Sequence, residues 1–123
     1  MARFTPKAHH CAGPTHFVNG GILATVIDCH CICTAAAAAY RDRGREIGSN
    51  PEIYYATLKL DVEYLRPTPI DAELELQARI VERADQTYVL SCAVNADGKT
   101  RVRARVEAVE VPSSWMLGER TPS

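Results

Sequence analysis

The sequence predicts an α+β domain in which one long central helix is wrapped by a curved antiparallel β-sheet of about five to six strands. Two patterns carry this prediction. Residues 21–39 are apolar or small around nearly the whole circumference of a helix, which is typical of a buried helix. Four later segments alternate apolar and polar side chains, as half-buried antiparallel strands do. Wrapping the sheet around the helix buries both apolar surfaces.

The helix is predicted to begin after Asn19, a residue type that caps helix N-termini well, and to end near Tyr40. Gly20 and Gly21 follow the cap although glycine is a poor helix former. Two interpretations stay open. The glycines either make a tight turn into the helix, or they let a negatively charged ligand approach the bare N–H groups at its start.

The predicted strands cover Arg3–Thr5 and then residues 57–66, 72–83, 87–95 and 99–111, with a loop over residues 6–18. Turn signals occupy Arg83–Gln86 and Asn95–Gly98. Alternation in the segment 57–66 places one set of side chains toward the helix, namely Leu58, Leu60, Val62 and Tyr64. It places Thr57 on the opposite face with Lys59. The pattern predicts a single domain over residues 3–111 and a polar tail over residues 112–123.

Composition excludes several functional classes. The chain has 123 residues and a net charge of −1, which argues against nucleic-acid or membrane-surface binding through bulk charge. The apolar helix carries Asp28 and His30 near its centre, which argues against a membrane span. The N-terminus has no apolar signal core, so a cytoplasmic location is expected.

The chain has five cysteines, and an odd number does not favour a disulfide framework. Cys29, Cys31 and Cys33 alternate along the helix, so neighbours point about 200° apart and the three cannot form an intrahelical disulfide or a zinc cluster. Cys11 beside His9 and His10 either binds a metal or is a buried thiol next to loop histidines.

Asp28 is the leading candidate for chemistry. Its neighbours three and four positions away are small or apolar, so a place on a solvated helix face fits it badly. Asp28 is therefore either a structural carboxylate satisfied by a nearby donor or a catalytic one acting as general base or nucleophile.

Distance adds a constraint on any shared site. Gly20 precedes Asp28 by eight residues, which is about 12 Å along a helix. An oxygen bound at the Gly20 N–H and a centre attacked through Asp28 must lie within about 3 Å of each other. If both groups serve one reaction, they come from two subunits, and a two-fold dimer brings each helix start near the middle of its partner's helix.

The run from Gly13 to Asp28 and the strand from Thr57 to Arg66-Pro67 carry a resemblance. They resemble hotdog-fold acyl-CoA thioesterases of the PaaI-like type, whose signature reads roughly G-P-P-G-x-x-H-G-G-[VIL]-x-A-[TA]-L-[LI]-D. The resemblance spans about residues 3–111. It implies a hotdog fold, an acyl-CoA substrate, a homodimer or tetramer with sites between subunits, and no cofactor or metal.

The resemblance also implies roles for individual residues. Asp28 matches the catalytic carboxylate, and Gly20 and Gly21 match the glycines whose backbone N–H polarises the thioester oxygen as an oxyanion hole. Thr57 matches a Ser/Thr position that helps to hold the attacking water. Asn19 replaces the family's histidine; it can cap the helix and donate through its amide but cannot take a proton near neutral pH.

Substrate contacts are assigned to His16 and to basic residues. His16 either substitutes for the missing histidine or is a loop histidine without a role in the site. Candidates for the CoA phosphates are Arg66, Arg79, Arg83, Lys99 and Arg101, and the alternative for each is a solvated surface position. A non-catalytic acyl-CoA or lipid-binding protein, a hotdog hydratase or dehydratase and a purely structural oligomer are the competing functional classes.

Overall fold

The structure is a computed structural model that describes residues 1–13 and 15–116. Its long helix, α1, is Gly20–Asp42, and short helical segments cover Ala8–His10 (3₁₀) and Ser113–Met116 (α2). The strands are β1 (Ala2–Phe4), β2 (Tyr54–Tyr64), β3 (Leu74–Ala84), β4 (Thr87–Ala96) and β5 (Lys99–Val111). Residues 117–123 of the predicted polar tail lie outside the described residues.

The five strands form one antiparallel sheet in the order β1-β3-β4-β5-β2. The two hairpins turn where the sequence predicts, with left-handed backbone at Gln86 (φ 62°) in the first and at Asp97 (φ 50°) and Gly98 (φ 74°) in the second. With α1 packed on one face, this is the hotdog architecture, and that prediction is confirmed. β2 is an edge strand, so its outer side is free of strand pairing among the described residues.

One side of α1 forms the core with the sheet. A row of side chains spaced every four residues is 0–2% exposed: Leu23, Ile27, Cys31 and Ala35. The facing side chains of the sheet are equally buried, among them Leu74, Leu90, Val102 and Val106. Burying each large aliphatic side chain contributes roughly 1.5–3 kcal/mol, so this contact stabilises the position of the helix strongly.

The opposite side of α1 is not covered. Four residues on it, Gly21, Thr25, Cys29 and Cys33, are exposed. The expectation of a helix buried on all sides is therefore not met within one chain. The five-stranded sheet has only one helix-facing surface, and it covers the row that contains Ile27.

Several element boundaries differ from the sequence prediction. β1 lies one residue earlier than predicted, β3 starts at Leu74, and the predicted loop 6–18 contains the 3₁₀ segment. β2 starts at Tyr54 because its first residues already pair with β5, up to Val111. α1 continues to Asp42, where the Arg43 N–H still reaches Ala39 O at 3.2 Å.

α1 is long and apolar enough to cross a membrane by length and composition alone. The core helix of a soluble protein meets the same criterion. In this structure the β-strands bury the row of α1 side chains that contains Ile27, so the apolar residues of that row form part of the core.

Candidate active site

Asp28 lies on the flank of α1 that faces β2, one position after the buried Ile27. Its side chain is half-buried, and its Oδ1 accepts a hydrogen bond from the hydroxyl of Thr57 on β2. A hydroxyl is the only protein donor to this carboxylate among the described residues. The second carboxylate oxygen is thus left to accept a proton or to bind water.

A β-bulge in β2 places Thr57 beside Asp28. The pairing with β5 slips between Thr57 and Lys59, so Leu58 has no partner of its own. Leu58 consequently points outward and is 65% exposed. Strict alternation, which placed Leu58 toward the helix and Thr57 away from it, is wrong at this position because the extra residue reverses the faces.

The first turn of α1 leaves the N–H groups of Gly20 and Ile22 without an acceptor among the described residues. Asn19 Oδ1 accepts from the Gly21 N–H at 2.7 Å, so the cap occupies this second donor. The Gly20 N–H donates to no other described residue. A Cβ at Gly21 would lie 3.1 Å from Asn19 Oδ1, which explains why glycine suits a position pressed against its own cap.

Tyr64, near the end of β2, contacts the start of α1. Its hydroxyl donates to Gly20 O at 2.6 Å. A Cβ at Gly20 would lie 3.3 Å from Tyr64 Cζ and Oη, so glycine allows the ring to touch the backbone. Alternation along β2 predicts that Tyr64 faces the helix, but it predicts no role for this residue in the site. The signal was its place as an aromatic residue just before Arg66-Pro67.

A cavity of about 320 Å³ opens beside the helix start. Its walls come from the loop before α1, from α1 itself and from the end of β2 with the turn after it. The lining residues are Phe17, Val18, Gly20, Leu23, Tyr64, Leu65, Arg66, Pro67 and Thr68. The cavity therefore combines apolar walls, the free Gly20 N–H and one guanidinium.

The predicted substrate-binding residues do not gather in one place. Arg66 lines this cavity and donates to Thr100 O at 2.9 Å. The exposed His16 lies in the loop next to it, where its carbonyl accepts from the Ile70 N–H at 2.9 Å.

Two of the predicted arginines lie elsewhere. Arg79 is on the outer face of the sheet, in a groove shared with Arg103. Arg83 lies 3.3 Å from Asp42 at the far end of α1, about 33 Å along the helix from Gly20.

Asp28 and Gly20 stay on one helix and are separated as the sequence predicts, by eight residues or about 12 Å.

Beneath Asp28, the buried Cys31 thiol hydrogen-bonds Cys92 of β4, and this bond together with burial raises its pKa, so the thiol stays protonated. Among residues 1–13 and 15–116, no three His, Cys, Asp or Glu side chains are placed to hold a metal ion together.

One long helix packed on a five-stranded antiparallel sheet places this protein in the hotdog class of folds. The family model of the thioesterase superfamily matches residues 15–103, more than half of the chain. The chain belongs to the thioesterase superfamily. No curated protein sequence matches it.

Solved structures agree with this assignment. A thioesterase superfamily protein from Shewanella loihica is 35% identical, with a TM-score of 0.73, over 90% of this chain and 82% of that one. A Bacillus halodurans protein crystallised with CoA is 23% identical, with a TM-score of 0.70, over 89% and 65%. The PaaI protein of the E. coli phenylacetic acid degradation operon is 21% identical, with a TM-score of 0.65, over 87% and 72%. At these identities, the last two show the fold alone.

Proposed function

We propose that this protein is an acyl-CoA thioesterase in which Asp28 acts as general base or nucleophile on a thioester whose oxygen is held by the Gly20 backbone of a second copy. One observation carries the proposal. Asp28 is a half-buried carboxylate on an otherwise apolar helix, and a bulge in β2 turns a hydroxyl onto it. The hydrogen bond holds the Asp28 carboxylate against β2, which is an edge strand of the sheet.

The second copy is needed because of the distance within one helix. About 12 Å separates the Gly20 N–H from Asp28, whereas one reacting carbonyl must be within reach of both. Asp28 lies on the side of α1 next to β2, the free edge of the sheet. Antiparallel pairing of two β2 strands about a two-fold axis would extend the sheet and bring the helices side by side. A tetramer would be two such dimers.

The reaction then follows from the positions of the groups. With Asp28 as base, its carboxylate takes a proton from a water molecule held near Thr57, and the water oxygen attacks the thioester carbon. The carbonyl oxygen becomes an oxyanion and accepts a hydrogen bond from the Gly20 N–H at the positive end of the helix. The C–S bond breaks, and the thiolate leaves with the proton from Asp28. As nucleophile, Asp28 would instead attack this carbon and form an anhydride that water cleaves.

Of the two glycines, the structure favours Gly20 as the oxyanion donor. The Gly21 N–H is already bonded to Asn19, and using it would require that cap to open. CoA would enter through the cavity beside Gly20, whose apolar walls suit the uncharged arm of CoA and whose Arg66 suits a phosphate. The Bacillus halodurans relative was crystallised with CoA, which supports this choice of ligand.

A non-catalytic acyl-CoA-binding protein is the alternative, and Asn19 is the residue that favours it. Asn19 stands where relatives have a histidine, and its side-chain oxygen is committed to the cap. It therefore contributes no titratable group to the site. Under this alternative the cavity and the dimer would remain, and turnover would be absent.

The deciding experiment measures release of free thiol from a panel of aliphatic and aromatic acyl-CoAs. We expect Asp28→Asn to lower kcat about 10²–10⁴-fold, the range for loss of a general base, while acyl-CoA binding persists. Asp61→Asn is the matched control, because Asp61 lies on β2 in an exposed pair with Lys59 at 3.6 Å. Full activity of Asp28→Asn would refute the mechanism. Tight binding without turnover by the unaltered protein would establish the alternative.

A further inference from the structure

Two cysteines share the surface of α1 that points away from the sheet. Cys29 and Cys33 are both exposed, whereas Cys31 between them is buried. Positions four apart are neighbours on one helix face, about 40° apart around the axis. Cys29 and Cys33 also point about 100° and 140° away from Asp28 around the helix axis, so a second copy placed at the edge of β2 would approach a different side of the helix.

The two thiols are neighbours on this exposed face, one helical turn apart. Partial burial, with the neighbouring Cys29 as the next cause, raises the pKa of the Cys33 thiol, which favours its protonated form. The helix keeps the two Cβ atoms about 5–6 Å apart, whereas a disulfide requires about 3.5–4.5 Å. An intact helix therefore presents two reduced, adjacent thiols that cannot join to each other.

The number of ligands limits which ion can bind. No third His, Cys, Asp or Glu side chain joins this pair within the described residues. Structural zinc takes four protein ligands, so two thiols alone suit it poorly. Thiolates select soft ions, and two sulfur atoms one helical turn apart can satisfy an ion that needs only two bonds from the protein.

We propose that Cys29 and Cys33 form a dithiol site for a soft, thiophilic centre that two sulfur ligands satisfy, with organic trivalent arsenic as the type case. With phenylarsine oxide, two As–S bonds form, the bond between arsenic and oxygen breaks, and both S–H protons leave with that oxygen as one water molecule. No electrons are transferred, so neither an oxidant nor a reductant is needed. The site does not depend on thioesterase activity.

The test is titration of the reduced protein with phenylarsine oxide, followed by intact-mass measurement under native conditions. We expect one adduct per chain. Cys29→Ser and Cys33→Ser should each bind about tenfold more weakly or worse, because the second thiol acts at high effective concentration. Cys11→Ser is the control and should bind like the unaltered protein, since Cys11 lies outside the helix. Zn²⁺ should not compete with the arsenical at equal concentration.

Two results would overturn the proposal. One is unchanged affinity of both single variants. The other is one adduct on the Cys29→Ser/Cys33→Ser double variant, which would place the arsenic at the buried Cys31–Cys92 pair. Serine at two exposed helix positions leaves the core row unchanged, and circular dichroism of each variant verifies the fold.

Discussion

Replacing Thr57 by valine tests whether the bulge in β2 serves the carboxylate. Valine has nearly the shape of threonine and suits a strand, so Thr57→Val removes the donor to Asp28 and little else. Hydrogen bonds to charged groups contribute about 1.5–3 kcal/mol, and water can replace part of this at a half-exposed site. We therefore take the low end, about 1.4 kcal/mol, which is about tenfold in kcat/KM.

The assay is thiol release from the best acyl-CoA of the panel, with kcat and KM measured separately. Thr57→Ser keeps the hydroxyl and should stay within about fourfold of the unaltered protein, because only a methyl group, about 0.8 kcal/mol at most, is lost. Thr25→Val is the matched control. Its hydroxyl bonds Gly21 O at 2.8 Å on the exposed side of the same helix, so this variant should retain activity.

A double-mutant cycle separates the pair from two independent effects. Because Thr57 is expected to act through Asp28, adding Thr57→Val to Asp28→Asn should cost much less than about tenfold. Full activity of Thr57→Val in an enzyme that Asp28→Asn inactivates would refute the positioning role. An equal loss in Thr57→Ser and Thr57→Val would do the same, because the hydroxyl would then be irrelevant.

Two further predictions concern the helix. Gly20→Ala places a Cβ 3.3 Å from the Tyr64 ring, so the helix start or the ring must shift. Alanine keeps the backbone N–H, so we expect only its displacement to lower kcat, by about tenfold, with little change in melting temperature. Unchanged kcat would show that activity does not depend on the close contact between Gly20 and Tyr64. His30 has a buried Nε2 without a partner among the described residues, and burial lowers its pKa. Near and below pH 6.5 the unfolded chain therefore binds more protons than the folded chain, so the free energy of unfolding decreases as the pH falls below about 6.5. Melting curves from pH 8 to 5 should show a melting temperature that falls with pH. His30→Leu should make this fall smaller.

The sequence was sufficient to predict the elements and their packing partners. Apolar side chains around a whole helix and period-two alternation in four segments do not depend on long-range detail, so α1 and the hairpins followed from them. Asp28 was identifiable because a carboxylate among small apolar neighbours is costly unless it has a partner or a task. These patterns are local in the sequence, so the predictions made from them do not depend on how the strands pair.

The parts of the site that were not predictable from periodicity depend on pairing between strands. The face of Thr57 is decided by a one-residue slip against β5, which has no signal in the alternation itself. Resemblance to the family pointed to Thr57 while the alternation placed it outside. The separation of Arg66 from Arg79 and Arg83 follows from the order of strands, and a list of basic residues contains no such information.

Three separate features of the single chain support the proposed dimer. The Gly20 N–H and Asp28 are too far apart to act on one carbonyl. β2 leaves one edge without a strand among the described residues, and an edge of eleven residues invites pairing. On the same flank as Asp28, Ala24, Ile32 and Ala36 are only half-buried by the sheet. A two-fold partner paired at β2 would account for all three features. It would pair the edge strand, cover this flank of α1 and bring the partner's helix start near Asp28.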